Sequence, residues 1–272
     1  MRFRIAALAA SAAVIGALAI PAAAQAAPTR HNPAPQVVNG YTKGLAGYYE
    51  NQRSDWRYRD VRASFTVTAE MEELNNLGTF GRTGVWQCNP NTGTAVQSGI
   101  EWNGTSFEAV YGTGTLTGGP DPCVTGGLLA PVEFPGNITN SIAINIGDTV
   151  EFEQYYNTAT RWETLTAIDV TQNAQSAVSF YEGYPNFYEA GVGVVDECAP
   201  NLVNPVANFV TQFSSVRVTT YNSKHPGTSL NNGHDTEMVT GFNTSNVAVL
   251  IPTALSGGSS FAVNAGVSSP AV

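Results

Sequence analysis

Only 12% of the 272 residues are charged, and 21 acidic side chains against 12 basic ones give a net charge of −9. A surface so poor in Lys and Arg excludes a nucleic-acid partner, because that binding rests on clustered cations neutralising phosphates. Three cysteines with no C-x-x-C pair and no Cys/His cluster argue against a structural zinc, and no metal or cofactor is expected.

The chain opens Met1-Arg2-Phe3-Arg4, runs from Ile5 to Ile20 almost without a polar residue, and reaches Ala24-Gln25-Ala26. A basic start, an apolar middle and a small-residue end mark residues 1–26 as a secretory signal cleaved after Ala26. The apolar run is short for a membrane span. A secreted, extracellular protein with no membrane attachment after cleavage is therefore expected, and losing Arg2 and Arg4 makes it two charges more negative. Residues 27–40 read as a polar, proline-punctuated lead-in, and residues 41–272 as a single domain, expected to be a monomer. In an oxidising compartment two of Cys88, Cys123 and Cys198 pair; three pairings are open, and Cys88–Cys123 is the local one.

The aromatics Tyr41, Tyr48, Tyr49, Trp56 and Tyr58 suit an N-terminal strand at a sheet edge. Val61–Thr68 alternates cleanly, with Val61, Ala63, Phe65 and Val67 directed inward. Ala69–Leu77 is the one good short helix pattern, closed by Gly78. Val85 and Trp86 lead into the turn Asn89-Pro90-Asn91-Thr92-Gly93, and Thr94–Trp102 returns as a second strand. On it Gln97, Gly99 and Glu101 share one face, while Val96, Ser98, Ile100 and Trp102 take the other. Asn103-Gly104 turns the chain into Ser106–Tyr111. Gly112–Gly127 then reads as a glycine-rich loop, either a flap tethered through Cys123 or a passive surface loop.

Further strands are expected in Ser141–Glu153, broken at Gly147-Asp148, and in Trp162–Val170, Ser176–Tyr181, Tyr188–Glu197, Phe209–Tyr221, Glu237–Phe242, Val247–Ile251 and Phe261–Val263. About ten to twelve strands with almost no helix predict an all-β antiparallel sandwich.

A serine or cysteine triad has little to work with. His31 lies in the lead-in, His225 and His234 fall in one polar loop, and no G-x-S-x-G elbow exists. Glu151 and Glu153 share a strand face, which reads as a solvated sheet surface, and no E-x-D-x-x-E segment points to a sandwich glycosidase.

Five segments in order carry a resemblance: Val85-Trp86, Val96-Gln97-Ser98-Gly99-Ile100, Ile146-Gly147-Asp148-Thr149-Val150, Val194-Val195-Asp196-Glu197 and Gln212-Phe213-Ser214-Ser215-Val216-Arg217-Val218. Their order resembles the glutamic peptidases (eqolisins), secreted acid proteases on a concanavalin-like sandwich. The resemblance implies a protein or peptide substrate and a catalytic glutamine–glutamate dyad. Gln97 matches the glutamine. Glu197 matches the second acid of the family's E-W-I-V-E strand, which leaves Gly193 at the first; Glu189 takes that place if the strand shifts by four residues. Trp86, Glu101, Trp102 and Tyr111 are the expected substrate contacts. The alternative is a non-catalytic descendant binding peptide or glycan in the same cleft.

Overall fold

The computed structural model describes residues 44–50, 57–76, 80–116, 132–135, 142–183, 186–197, 208–220, 230, 236–242 and 248–266. The expected signal, the lead-in, His31, His225, His234, Cys123 and Cys198 lie outside them. In chain order the elements are β1 (Gly44–Glu50), β2 (Tyr58–Thr66), α1 (Glu70–Asn76), β3 (Phe80–Cys88), β4 (Thr94–Trp102), β5 (Phe107–Thr115), β6 (Val132–Glu133), β7 (Thr149–Asn157) and β8 (Trp162–Asp169). There follow β9 (Ala174–Tyr181), β10 (Glu189–Glu197), β11 (Val210–Thr220), β12 (Thr236–Val239), β13 (Gly241–Phe242), β14 (Ala248–Pro252) and β15 (Phe261–Ala265).

These strands form two antiparallel sheets, a sandwich of the concanavalin-like kind. The first runs β12-β1-β10-β3-β4-β5-β6 and the second β13-β14-β15-β11-β2-β7-β8-β9. The alternation of β2 is realised: Val61, Ala63 and Phe65 are buried in the core, and Val67 with them. Facing them from the first sheet are Val85, Val96, Ile100, Val192 and Val194. Two packed layers of alternating strands bury one face of each sheet, which is the only way such strands shed their apolar side.

Two expectations are corrected. The glycine-rich stretch from Gly112 is not all loop: β5 continues to Thr115, where Gly112 and Gly114 pair with Gln97 and Ala95. The strand expected before Gly147 is reduced to a single bridge between Ile144 and Phe107. Gly147 itself turns with φ of 94°, the left-handed region that suits glycine, and delivers the chain into β7. Glu151 and Glu153 stand on the outward face of β7, as a solvated sheet surface requires, with Glu151 3.6 Å from Arg62.

Candidate active site

Gln97 lies on the outer face of the first sheet, opposite Trp86 on β3 and Gly112 on β5. Trp86 is level with Gly191 on β10, so one row across the sheet reads Gly191, Trp86, Gln97, Gly112. The adjacent row reads Gly47, Gly193, Gly84, Gly99, one glycine from each of four neighbouring strands. A Cβ on Gly84 would meet the Ser98 carbonyl oxygen at 2.0 Å, and one on Gly193 the Ala46 carbonyl oxygen at 2.2 Å. The backbones approach too closely for any side chain, so the floor beside Gln97 is bare by construction.

Arg82 organises the polar groups on this floor. It lies one residue beyond the Thr83–Ile100 pair, which brings it level with Glu101. Its Nη1 donates to Gln97 Oε1 and its Nη2 to Glu101 Oε2, both at 3.4 Å. Arg82 is 3% exposed and Gln97 8%. The cation takes the amide oxygen, and so turns the –NH₂ end of Gln97 the other way, as a donor. A cavity of about 10 Å³, bounded by Arg82, Gly84, Trp86, Gln97 and Gly193 among others, adjoins it. That is about the space one water molecule needs.

The two candidate glutamates stand differently toward Gln97. Glu189 is buried and level with Cys88 and Ala95, the row next to Gln97 on the same face. Two strand spacings and one two-residue step put its Cα about 12 Å from that of Gln97. Glu197 is level with Phe80, six residues along β3 from Trp86. That is about 20 Å of strand, so Glu197 does not share a site with Gln97. The intervening outward positions of β10 include Gly191, where a Cβ would meet the Trp86 indole at 2.1 Å, and the hemmed-in Gly193.

Of the expected substrate contacts, Trp86 and Glu101 share the face of Gln97. Trp102 and Tyr111 do not. They point between the sheets, Trp102 against Phe107 at 5.0 Å and Tyr111 against Phe134 at 5.4 Å and Phe180 at 6.2 Å. Their role here is packing. Cys88 is fully buried and disulfide-bonded, with its partner outside the described residues.

Glu108, opposite Glu101, extends the polar row toward Glu133 on β6. Burial pushes the Glu108 carboxyl up; Asn103, which donates to it, opposes this, while Glu133 and Glu101 push the same way. A cavity of about 320 Å³ opens beside Glu108, Glu133, Phe134 and Ile144 at that edge. Among the described residues no group of three His, Cys, Asp or Glu is placed to hold a metal ion, and no helix is long and apolar enough to cross a membrane.

Arg82 was missed in the sequence. The signal was present: a turn at Asn89–Gly93 folds β3 back on β4, and counting from it sets Arg82 across from Glu101.

No family model matches the sequence, and no curated protein matches it. The fold does have solved counterparts. Scytalido-glutamic peptidase, in a crystal structure with a transition-state analogue inhibitor, is 17% identical, with a TM-score of 0.54 over 82% of this chain and 98% of that one. SCP-B, an eqolisin solved in complex with the tripeptide Ala-Ile-His, is 14% identical, with a TM-score of 0.52 over the same shares. The chain has the fold of the glutamic peptidases. At these identities the likeness concerns architecture, and the chemistry is argued from this chain's own residues.

Proposed function

We propose that the protein is a secreted glutamic-type endopeptidase working in acid, with Gln97 as oxyanion donor and Glu189 as general base. The observation that carries this reading is the Arg82–Gln97 contact, which fixes the amide with its N–H groups outward over a bare floor. In the reaction the Glu189 carboxylate takes a proton from water as the water oxygen bonds to the scissile carbonyl carbon. The carbonyl oxygen gains the charge and Gln97 donates to it. Collapse of the intermediate breaks the C–N bond, and the proton held by Glu189 passes to the leaving amine. One oxyanion donor is typically worth ~10²–10³ in rate. The row of glycines lets the backbone of an extended peptide approach the sheet. A Cys88–Cys123 disulfide would tie β3 to the chain beyond β5.

The second reading is a peptide- or glycan-binding protein without catalysis. Gly191 and Gly193 favour it, because they leave β10 without a carboxylate level with Gln97 or in the Gly99 row, Glu189 standing in the row on the other side. Cleavage of an unfolded protein substrate from pH 2 to 7 separates the two, using wild type, Gln97→Ala, Glu189→Gln and Glu197→Gln. Cleavage in acid that is lost in the first two variants and kept in the third supports the dyad. No cleavage at any pH by correctly processed, folded protein sinks the peptidase reading. Loss in Glu197→Gln alone sinks the assignment of Glu189.

A further inference from the structure

The outer face of the second sheet changes character toward its β9 edge. Around β2, β7 and β11 that face is ionic: Arg62 lies 3.6 Å from Glu151, and Arg217 3.5 Å from Asp60. On β8 and β9 the four outward pairs, from Trp162–Tyr181 to Ile168–Gln175, contain no charged residue. Indeed β9, an edge strand, has no charge at any of its eight positions. Edge strands are ordinarily blunted by charged side chains that discourage unwanted pairing. Here the end of the edge is aromatic instead.

Trp162 is 45% exposed, Tyr181 directly opposite it 59%, and Tyr155 on β7 37%. Single exposed aromatics need no explanation, but three gathered in one corner of a sheet do. In the level next to the Trp162–Tyr181 pair, Tyr155, Thr164 and Ser179 stand side by side, and the Thr164 and Ser179 hydroxyls are hydrogen-bonded at 2.9 Å. At the rim Arg161 Nη1 donates to the Tyr181 hydroxyl at 3.4 Å and steadies that ring. Broad rings with apolar faces and polar tips, interleaved with hydroxyls and lacking charge, form a surface for a ligand that is itself neutral, flat-faced and rich in hydroxyls.

We propose that this corner is a binding platform for an uncharged polysaccharide. Pyranose rings lay their C–H faces on Trp162 and Tyr181, and sugar hydroxyls exchange hydrogen bonds with Thr164 and Ser179. Charge decides against other ligands: a polyanion would find the rim cation Arg161 in a chain of net charge −9, and a polycation no carboxylate on the β8–β9 outward pairs, while Asp60, opposite Tyr155, is already paired with Arg217. The platform is on the sheet opposite the one bearing Gln97, so it stands whether or not the protein is a peptidase. In either case it would hold the protein on a solid carbohydrate.

The mature protein is tested by depletion from solution over insoluble cellulose, chitin, xylan, β-1,3-glucan and starch, and by tryptophan fluorescence with soluble hexaoses of each. The expected result is retention on at least one of the five. Trp162→Ala and Tyr181→Ala each weaken that retention about tenfold or more, as loss of an anchoring aromatic does. Ile251→Ser, at an exposed position on β14, leaves it unchanged. Both aromatic variants are surface changes, and melting curves matching wild type show that they fold. No retention on any of the five overturns the proposal, as does retention that survives both aromatic substitutions. A concentration-dependent dimer abolished by Trp162→Ala, without sugar binding, assigns the corner to a second copy instead and overturns it too.

Discussion

Arg82 and Gln97 stand on neighbouring strands, and the guanidinium of the first donates to the amide oxygen of the second at 3.4 Å while its other terminal nitrogen holds Glu101. One buried cation thus serves two acceptors, one neutral and one anionic. Removing it leaves Glu101, whose side chain is 13% exposed, as an uncompensated charge. Arg82→Met is therefore expected to cost about 3 kcal/mol, the lower end for breaking a buried pair by removing one partner. Adding Glu101→Gln should restore most of that loss, since no charge is then stranded. Urea unfolding of the two single variants and the double variant measures the coupling. Additive losses would mean that the pair contributes nothing.

How much of this was readable beforehand follows from how local each relationship is. The alternation that buries Val61, Ala63 and Phe65, and the shared face of Gln97, Gly99 and Glu101, depend on neighbours two residues apart. So does the β3–β4 hairpin, set by the turn at Asn89–Gly93. The position of β10 between β1 and β3 depends on pairing across about a hundred residues. Only that register brings Glu189 into the row beside Gln97 and leaves Glu197 far away. Glycines misled for the same reason. Gly112 and Gly114 look like loop residues in isolation, yet they pair within β5, opposite Gln97 and Ala95.

The glycine row makes a separate expectation. Gly193→Ala puts a methyl group about 2.2 Å from the Ala46 carbonyl oxygen, and backbone on a neighbouring strand has little freedom to withdraw. The strands β1 and β10 must part, at a cost typical of overpacking, about 1–3 kcal/mol or more. Gly257→Ala, by contrast, meets nothing within 4 Å and pays only for its φ of 58°. Thermal melts of the two variants should show the larger drop for Gly193→Ala. Equal drops would mean that sheet packing does not require the glycine. The same geometry predicts that Gly193→Glu will not install a working carboxylate beside Gln97.

Asp148 and Asp169 form a pair where the start of β7 lies beside the end of β8. Burial raises Asp148, but the Asn145 amide, Gln172 and Asp169 more than offset it, and its carboxyl ends below the usual 3.8. Burial first, and then Asp148, raise Asp169, although the Gln172 amide pulls the other way. Between the two midpoints, therefore, Asp169 is the carboxyl that holds a proton and Asp148 the one that is ionised. The lowered group stabilises above its unfolded value and loses that contribution as pH falls. The raised group favours the fold below its unfolded value and loses that as pH climbs through its folded one. The pair is best formed in the acidic window between the two. Asp169→Asn supplies a permanent donor and should flatten the loss on the alkaline side, read as the melting temperature from pH 3 to 8. A steeper loss in the variant would contradict the shared proton.

Glu163 extends the argument to the other end of β8. It lies on the inward face beside Tyr156, fully buried, and among the described residues neither carboxylate oxygen has a hydrogen-bond partner. Gln154, one inward step away on β7, donates to the Val85 carbonyl at 3.2 Å and to the Ser98 hydroxyl at 3.0 Å, and offers Glu163 no charge. Burial, and after it the carboxylates of Glu182 and Asp60, push the Glu163 carboxyl well above its ordinary 4.5. In the unfolded chain it ionises near the ordinary value, whereas in the folded chain its ionisation is pushed to higher pH. Folding then takes up a proton, so stability falls as pH rises past the unfolded value, by up to ~1.4 kcal/mol per pH unit, until the folded group ionises. Glu163→Gln keeps the shape without the charge. It should leave stability at pH 3 nearly unchanged and raise it at pH 7, with the pH slope reduced by one proton. Unfolding free energies of both proteins across that range provide the check. A variant that is destabilised equally at every pH would show that Glu163 is held by hydrogen bonds rather than tolerated as a neutral acid.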